Sequence, residues 1–233
     1  MRVGRQIWQN ECGGTVAGLT SWNAGEDFAS LGIGHFIWYP AGQTGPFEES
    51  FPKLIAYVQK RGAKLPELLL PPNVQCPWHS RAQFLAAAPS GEMIHLRKFL
   101  AGTIDLQADF LVLRLQEALP KMHAAAAPSE RGAIERNFNR VASSAQGCYA
   151  LIDYVNFKGE GVLATERYQD RGWGLLQVLE GMSGVGEGAA ATREFAESAA
   201  AVLRERVKHA PTERHEARWL PGWLNRVATY RDH

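Results

Sequence analysis

Between Gly13 and Tyr39 the chain sets glycines at 14, 18, 25, 32 and 34 into a stretch rich in β-prone and aromatic residues. Such spacing suits short strands joined by tight turns, because glycine reaches backbone conformations closed to other residues. Two or three strands are expected there, with Asn23-Ala24-Gly25 as the hairpin tip. Ahead of it, Val3, Ile7, Trp8 and Glu11 fall on one face of a short helix that Gly13-Gly14 stops. Beyond Pro46 apolar residues recur at helical spacing almost to the end. The pattern predicts an α+β fold, mainly α-helical, with a small lobe carrying a short β-hairpin and a larger helical lobe.

Phe47, Phe51, Leu54, Ile55 and Val58 predict a helix over 47–61, with its true start at Ser50 and Pro52 in the first turn. Residues 63–79, with their prolines, read as an extended loop and the lobe boundary, giving lobes of 1–62 and 63–233. Ser80 and Ser90 are expected to cap helices over 81–88 and 91–101. The run 103–122 is apolar nearly all round and predicts the central buried helix. Further helices are expected over 129–144, 148–158, 172–182, 189–208 and 219–230, the Ala-rich one packing closely or lying at the surface.

A net charge of +1 provides no global field to recruit nucleic acid, and the alternating charges of 193–218 suit a solvated helix face. No apolar run approaches the roughly 18–20 residues of a membrane span, so no transmembrane segment is expected. Met1–Gln6 show no apolar h-region, so no signal peptide is expected, and the compartment stays unassigned. Cys12, Cys76 and Cys148 are odd in number and widely spaced, which points to small buried hydrophobes rather than disulfides or a metal site. Nucleophile-elbow, phosphate-loop and His-Glu-x-x-His motifs are absent, and no cofactor is implied. A monomer is expected.

Glu11, among Ile7, Trp8 and Cys12, is placed for partial desolvation, which would raise its pKa and keep its proton available for donation. A carboxylate near a helix C-terminus also opposes the helix dipole, an unfavourable placement without another reason. Glu26 and Asp27 follow the hairpin turn and are candidates for a second polar group across a cleft. Ser30 is a candidate for orienting water, and His35 a weaker polar candidate. Trp38 and Tyr39 are candidate sugar-stacking residues, since sugar rings pack on aromatic faces. A desolvated acid facing a second carboxylate or a held water is the equipment for cutting a glycosidic bond.

With these residues in view, the chain resembles the phage-type lysozymes. Their short helix ends in the catalytic glutamate and is followed by a Gly-rich hairpin carrying an aspartate, a threonine and then Gly-Ile-Gly-His. Glu11 matches the acid, Ser30 stands near the threonine, and Gly32-Ile33-Gly34-His35 matches outright. Residues 150–161, 168–173 and 225–230 are similar to later parts of that family. The resemblance implies a lysozyme-like fold and a glycoside hydrolase of peptidoglycan or a related amino-sugar polysaccharide, with Glu11 as general acid.

Two departures stand out. The Glu11–Gly32 spacing is enlarged, and counting back from the glycines puts Ala24 where the family has its aspartate. Either Glu26 or Asp27 takes that role, or Glu11 acts alone as in lytic transglycosylases, or the protein binds cell-wall glycan without cleaving it. Residues 63–128 have no clear counterpart and read as an inserted helical segment.

Overall fold

The computed structural model describes residues 15–45, 47–70 and 75–231. Glu11 and its predicted helix lie outside the described residues. Among those described, nine α-helices, one three-stranded and one two-stranded antiparallel sheet make a mainly helical α+β protein. The chain divides into two compact units, Met1–Leu111 and Val112–His233.

In the first unit, β1 (Thr20–Ser21), β2 (Ala29–Leu31) and β3 (Phe36–Trp38) form an antiparallel meander. Thr20 lies opposite Leu31, and Ser30 opposite Ile37. Helix α1 (Phe51–Lys60) buries Phe51, Leu54, Ile55 and Val58, the i, i+3, i+4, i+7 stripe the periodicity predicts. Ser50 precedes it without capping it. Its hydroxyl accepts the Ile37 N–H at 2.9 Å, tying β3 to the helix start. Ser80 and Ser90 do cap α2 (Arg81–Ala86) and α3 (Gly91–Gly102), accepting from Gln83 N and Met93 N.

The loop over 63–79 is mostly irregular, as expected, but it does not divide the chain. Leu65, Leu69, Cys76 and Trp78 are buried in the first unit, and Trp78 stands edge-on to Trp38 and Phe84 with centroids 6.1 and 5.1 Å away. Arg81 donates to the Trp22 carbonyl and Arg97 to the Thr20 hydroxyl, both at 2.8 Å. These contacts bind residues 76–100 to the hairpin. The division between units therefore falls at 111/112, within α4 (Ile104–Ala125), rather than at 62/63.

Helix α4 is not buried all round. Gln107, Phe110, Leu111, Leu115, Ala118 and Met122 form one buried stripe, while Val112 is 39% exposed. Asp105, Asp109, Gln116, Glu117 and Lys121 occupy exposed or partly exposed positions between the apolar residues, so counting leucines overstated the burial.

The second unit contains α5 (Arg131–Ala142), α6 (Ala145–Lys158), the ribbon β4 (Arg167–Tyr168) and β5 (Arg171–Gly172), α7 (Leu175–Glu180), α8 (Ala189–His209) and α9 (Leu220–Ala228). Helix α6 buries every residue from Tyr149 to Val155. The Ala-rich α8 packs closely, burying Ala191, Ala196, Ala199 and Ala200 beside Phe195 and Leu203. Short side chains on that face let neighbouring backbones approach.

Gln107 is the polar residue that positions the hairpin turn. Its side chain is fully buried, accepts the Ile33 N–H at 2.9 Å and donates to the Leu100 carbonyl at 2.7 Å. Gln107→Ala leaves a buried N–H and a buried carbonyl without this partner and should cost about 1–3 kcal/mol. A urea midpoint shift at unchanged m-value reads the loss; less than about 0.5 kcal/mol would remove Gln107 from this role.

Candidate functional site

The hairpin tip turns as its composition requires. Gly25 takes φ 85°, a left-handed conformation, and Glu26 N donates to the Asn23 carbonyl at 3.3 Å. The Trp22 indole N–H donates to the Glu26 carbonyl at 2.7 Å, and Asn23 Nδ2 donates to Glu26 Oε2 at 3.1 Å. Burial pushes the Glu26 carboxyl pKa up, and the two Asn23 hydrogen bonds only partly oppose it. Asp27, one residue on, is exposed. Glu26 is therefore the partly buried carboxyl at this turn.

The Gly32-Ile33-Gly34-His35 turn joins β2 to β3. Gly32 has φ 70°, and a Cβ there would run into the Gln107 side-chain oxygen. A Cβ on Gly34 would stand 2.8 Å from a Phe36 ring carbon and 3.1 Å from a Leu111 methyl. Both glycines thus answer a packing demand of the turn. His35 is also left-handed at φ 47° and half-buried, with its N–H donating to Gly32 O at 3.3 Å.

Ser30 is 3% exposed in the central strand, so water held by its hydroxyl would lie against the sheet rather than on an open surface. Trp38 is 0% exposed, tilted against Phe51 with centroids 4.8 Å apart, and offers no open ring face for a sugar. Its indole N–H is buried without a hydrogen-bond partner among the described residues. Tyr39 is 5% exposed, accepts the Phe47 N–H through its hydroxyl and stands edge-on to Phe28 at 5.4 Å. Both aromatics are packing residues of the hairpin base. A depression of about 400 Å³ lined by Arg61, Lys64, Phe99, Thr103 and Leu106 includes none of the hairpin candidates.

The second unit holds buried ion pairs and cation–ring contacts. Arg206 donates both arms of its guanidinium to Glu216, at 2.7 and 2.8 Å, and the Tyr168 hydroxyl and Arg214 donate to the same carboxylate at 2.8 and 3.0 Å. Arg226 clasps Asp153 in the same two-pronged way at 2.9 and 2.8 Å, and Tyr230 also donates to Asp153. The Lys158 ammonium lies 3.4 Å from the Trp223 ring centroid and 4.0 Å from that of Phe157.

Signals existed for some of these residues. Asp153 interrupts the apolar run 150–155, and Arg206 falls three residues after Leu203 and seven after Ala199, on the buried stripe of α8.

Among the described residues no group of three or more His, Cys, Asp or Glu side chains is arranged to hold a metal ion, and no helix is long and apolar enough to cross a membrane. No family model matches the chain, and no curated protein or solved structure does so either.

Proposed function

We propose that the protein is a lysozyme-type glycosidase acting on peptidoglycan or a related amino-sugar polysaccharide. Glu11 donates its proton to the leaving glycosidic oxygen as the C–O bond breaks, and Glu26 takes a proton from the water that attacks the sugar carbon. The observation that carries the reading is the Glu26 carboxyl, held at a raised pKa beside Trp22 on a hairpin whose second turn is Gly32-Ile33-Gly34-His35. A base titrating above the ordinary carboxyl value of 4.5 retains affinity for the proton it must accept.

Clearing of purified cell-wall suspensions tests the reading. Glu11→Gln should lower the rate by about 10²–10⁴-fold, the usual contribution of a general acid. Unchanged clearing by that variant overturns the assignment. Glu26→Gln should lower the rate comparably and abolish the acid limb of the pH profile. The sign follows from its role: activity needs the ionised carboxylate, so it falls as pH drops through the raised Glu26 pKa.

The Asn23–Glu26 hydrogen bond supports a second reading, in which Glu26 serves its own turn and Glu11 works alone as a lytic transglycosylase. Products separate the two. A transglycosylase leaves an anhydro-sugar end and tolerates Glu26→Gln, whereas a hydrolase leaves a reducing end and does not.

A further inference from the structure

The depression of about 400 Å³ in the first unit forms where the end of α1 meets the junction of α3 and α4. Gly62, at φ 84°, turns the chain off α1, and the N–H groups of Gly62 and Ala63 donate back to the Gln59 and Val58 carbonyls at 3.0 and 3.1 Å. That closure fixes the backbone of Arg61 and Lys64, which both line the hollow. Phe99, Thr103 and Leu106 line it as well. The Thr103 hydroxyl donates to the Phe99 carbonyl at 2.8 Å and accepts from Gln107 Nε2 at 3.0 Å. Because Gln107 is itself buried and bonded to the Leu100 carbonyl, this part of the lining is held in place before any ligand arrives.

Solvated cations on a surface are ordinary and need no ligand. Two features set these apart. Arg61 and Lys64 are exposed, their side chains make no ion pair or hydrogen bond among the described residues, and no acidic residue lines the hollow. Arg61 has its guanidinium carbon 4.9 Å from the Tyr57 ring centroid, a contact that leaves its N–H donors to solvent. Apolar surface also stays open beside the charges, since Ala63, Phe99 and Leu106 are all half-exposed. Accessible cations next to an open apolar lining select a ligand with an anionic head and an apolar body. A phosphate monoester, with about 1.5–2 negative charges at neutral pH, answers two cations where a carboxylate answers one. Its oxygens also fit the donor fork of an arginine. A flat ring suits the body, because it can pack on Phe99.

We propose that this hollow binds a small aromatic phosphate monoester, with Arg61 and Lys64 taking the phosphate and Phe99 and Leu106 taking the ring. The site is separate from the hairpin carboxyls and does not rest on the wall-lytic reading.

Isothermal titration of the full chain with three probes tests it: phenyl phosphate, inorganic phosphate and phenol. Phenyl phosphate should bind about tenfold more tightly than either of the others, because only it uses both halves of the site. Its affinity should fall with added salt, which screens exposed cations. The double variant Arg61→Gln with Lys64→Gln changes two exposed positions and should erase the advantage over phenol. Gly102→Leu separates the apolar half. Gly102 lines the hollow outside the left-handed region, and an added Cβ there meets nothing within 4 Å, so the larger side chain fills space without straining the backbone. It should bring phenyl phosphate down to the affinity of inorganic phosphate, and an unchanged urea midpoint confirms that the variant is folded. No saturable binding of phenyl phosphate, equal binding of phenyl phosphate and either other probe, or an advantage that survives in both variants would each overturn the proposal.

Discussion

Glu216→Ala should be among the most destabilising single changes in this protein, at about 3–5 kcal/mol. The Glu216 side chain is wholly buried and Arg206 nearly so, and Trp173 stands with its ring centroid 4.0 Å from the Arg206 guanidinium carbon. Removing the carboxylate strands a guanidinium where water cannot reach it, and also deprives the Tyr168 hydroxyl and Arg214 of their acceptor. In a chain of this size that loss lowers the melting temperature by roughly 10 °C.

The double variant Arg206→Met with Glu216→Ala should recover much of the loss, because no charge is then left buried alone. A double variant as unstable as Glu216→Ala would show that volume, not charge, dominates the site. Acid stability gives an independent check. Burial alone would raise the Glu216 pKa, but hydrogen bonds and charge from Arg206, then Tyr168 and Arg214, hold it at about 2. A depressed carboxyl stabilises fully above the ordinary value near 4.5, and its contribution drains away as pH falls toward 2. Stability measured from pH 5 down to 2 should therefore flatten in Glu216→Ala relative to the unmodified protein.

Much of the fold can be read from residues whose chemistry acts locally. Ser80 and Ser90 cap the helices they precede, Pro52 stands in the first turn of α1, and Gly25 occupies the left-handed position of its turn. Ser144 shows where local reading stops. It caps α6 by accepting the Gly147 N–H at 3.0 Å, but Gly147 looks like a helix breaker, and the predicted start falls at 148. That glycine is required by packing, because a Cβ there would collide with the Val141 carbonyl. Proximity across the chain is what a linear pattern lacks. The same gap placed the lobe boundary at the proline-rich loop, whose apolar residues are buried in the first unit.

The candidate site divides along the same line. Turn chemistry marks Glu26 and the Gly32–His35 turn as unusual, and both carry identifiable demands in the structure. Trp38 and Tyr39 lie in or beside a strand, where an aromatic residue suits an open face and a packed one equally well. Only the arrival of Trp78 and Phe51 against Trp38 reveals which it is. Arg206 and Arg226 read as routine helix charges, since their partners Glu216 and Asp153 stand 10 and 73 residues away from them.

Gly174→Ala should cost at least about 3 kcal/mol, at the top of the range for forcing extra volume into a packed interior. The backbone at Gly174, φ −83° and ψ −170°, is open to any residue, so the penalty is purely steric. A Cβ there would overlap the Gly161 nitrogen and Cα and stand 2.6 Å from the Glu160 carbonyl carbon, all of it backbone that no rotamer change can move. The close approach is fastened by Leu175 N donating to Gly159 O and Leu176 N to Glu160 O, both at 3.0 Å. Gly222→Ala in α9 is the matched control. Nothing lies within 4 Å of its added Cβ, so the change should be neutral or stabilise by up to about 1 kcal/mol. Gly222→Ala should accordingly lose no stability. A penalty below about 1 kcal/mol for Gly174→Ala, read as a shift in the urea midpoint, would show that the Gly159–Gly161 turn yields and is not a rigid contact.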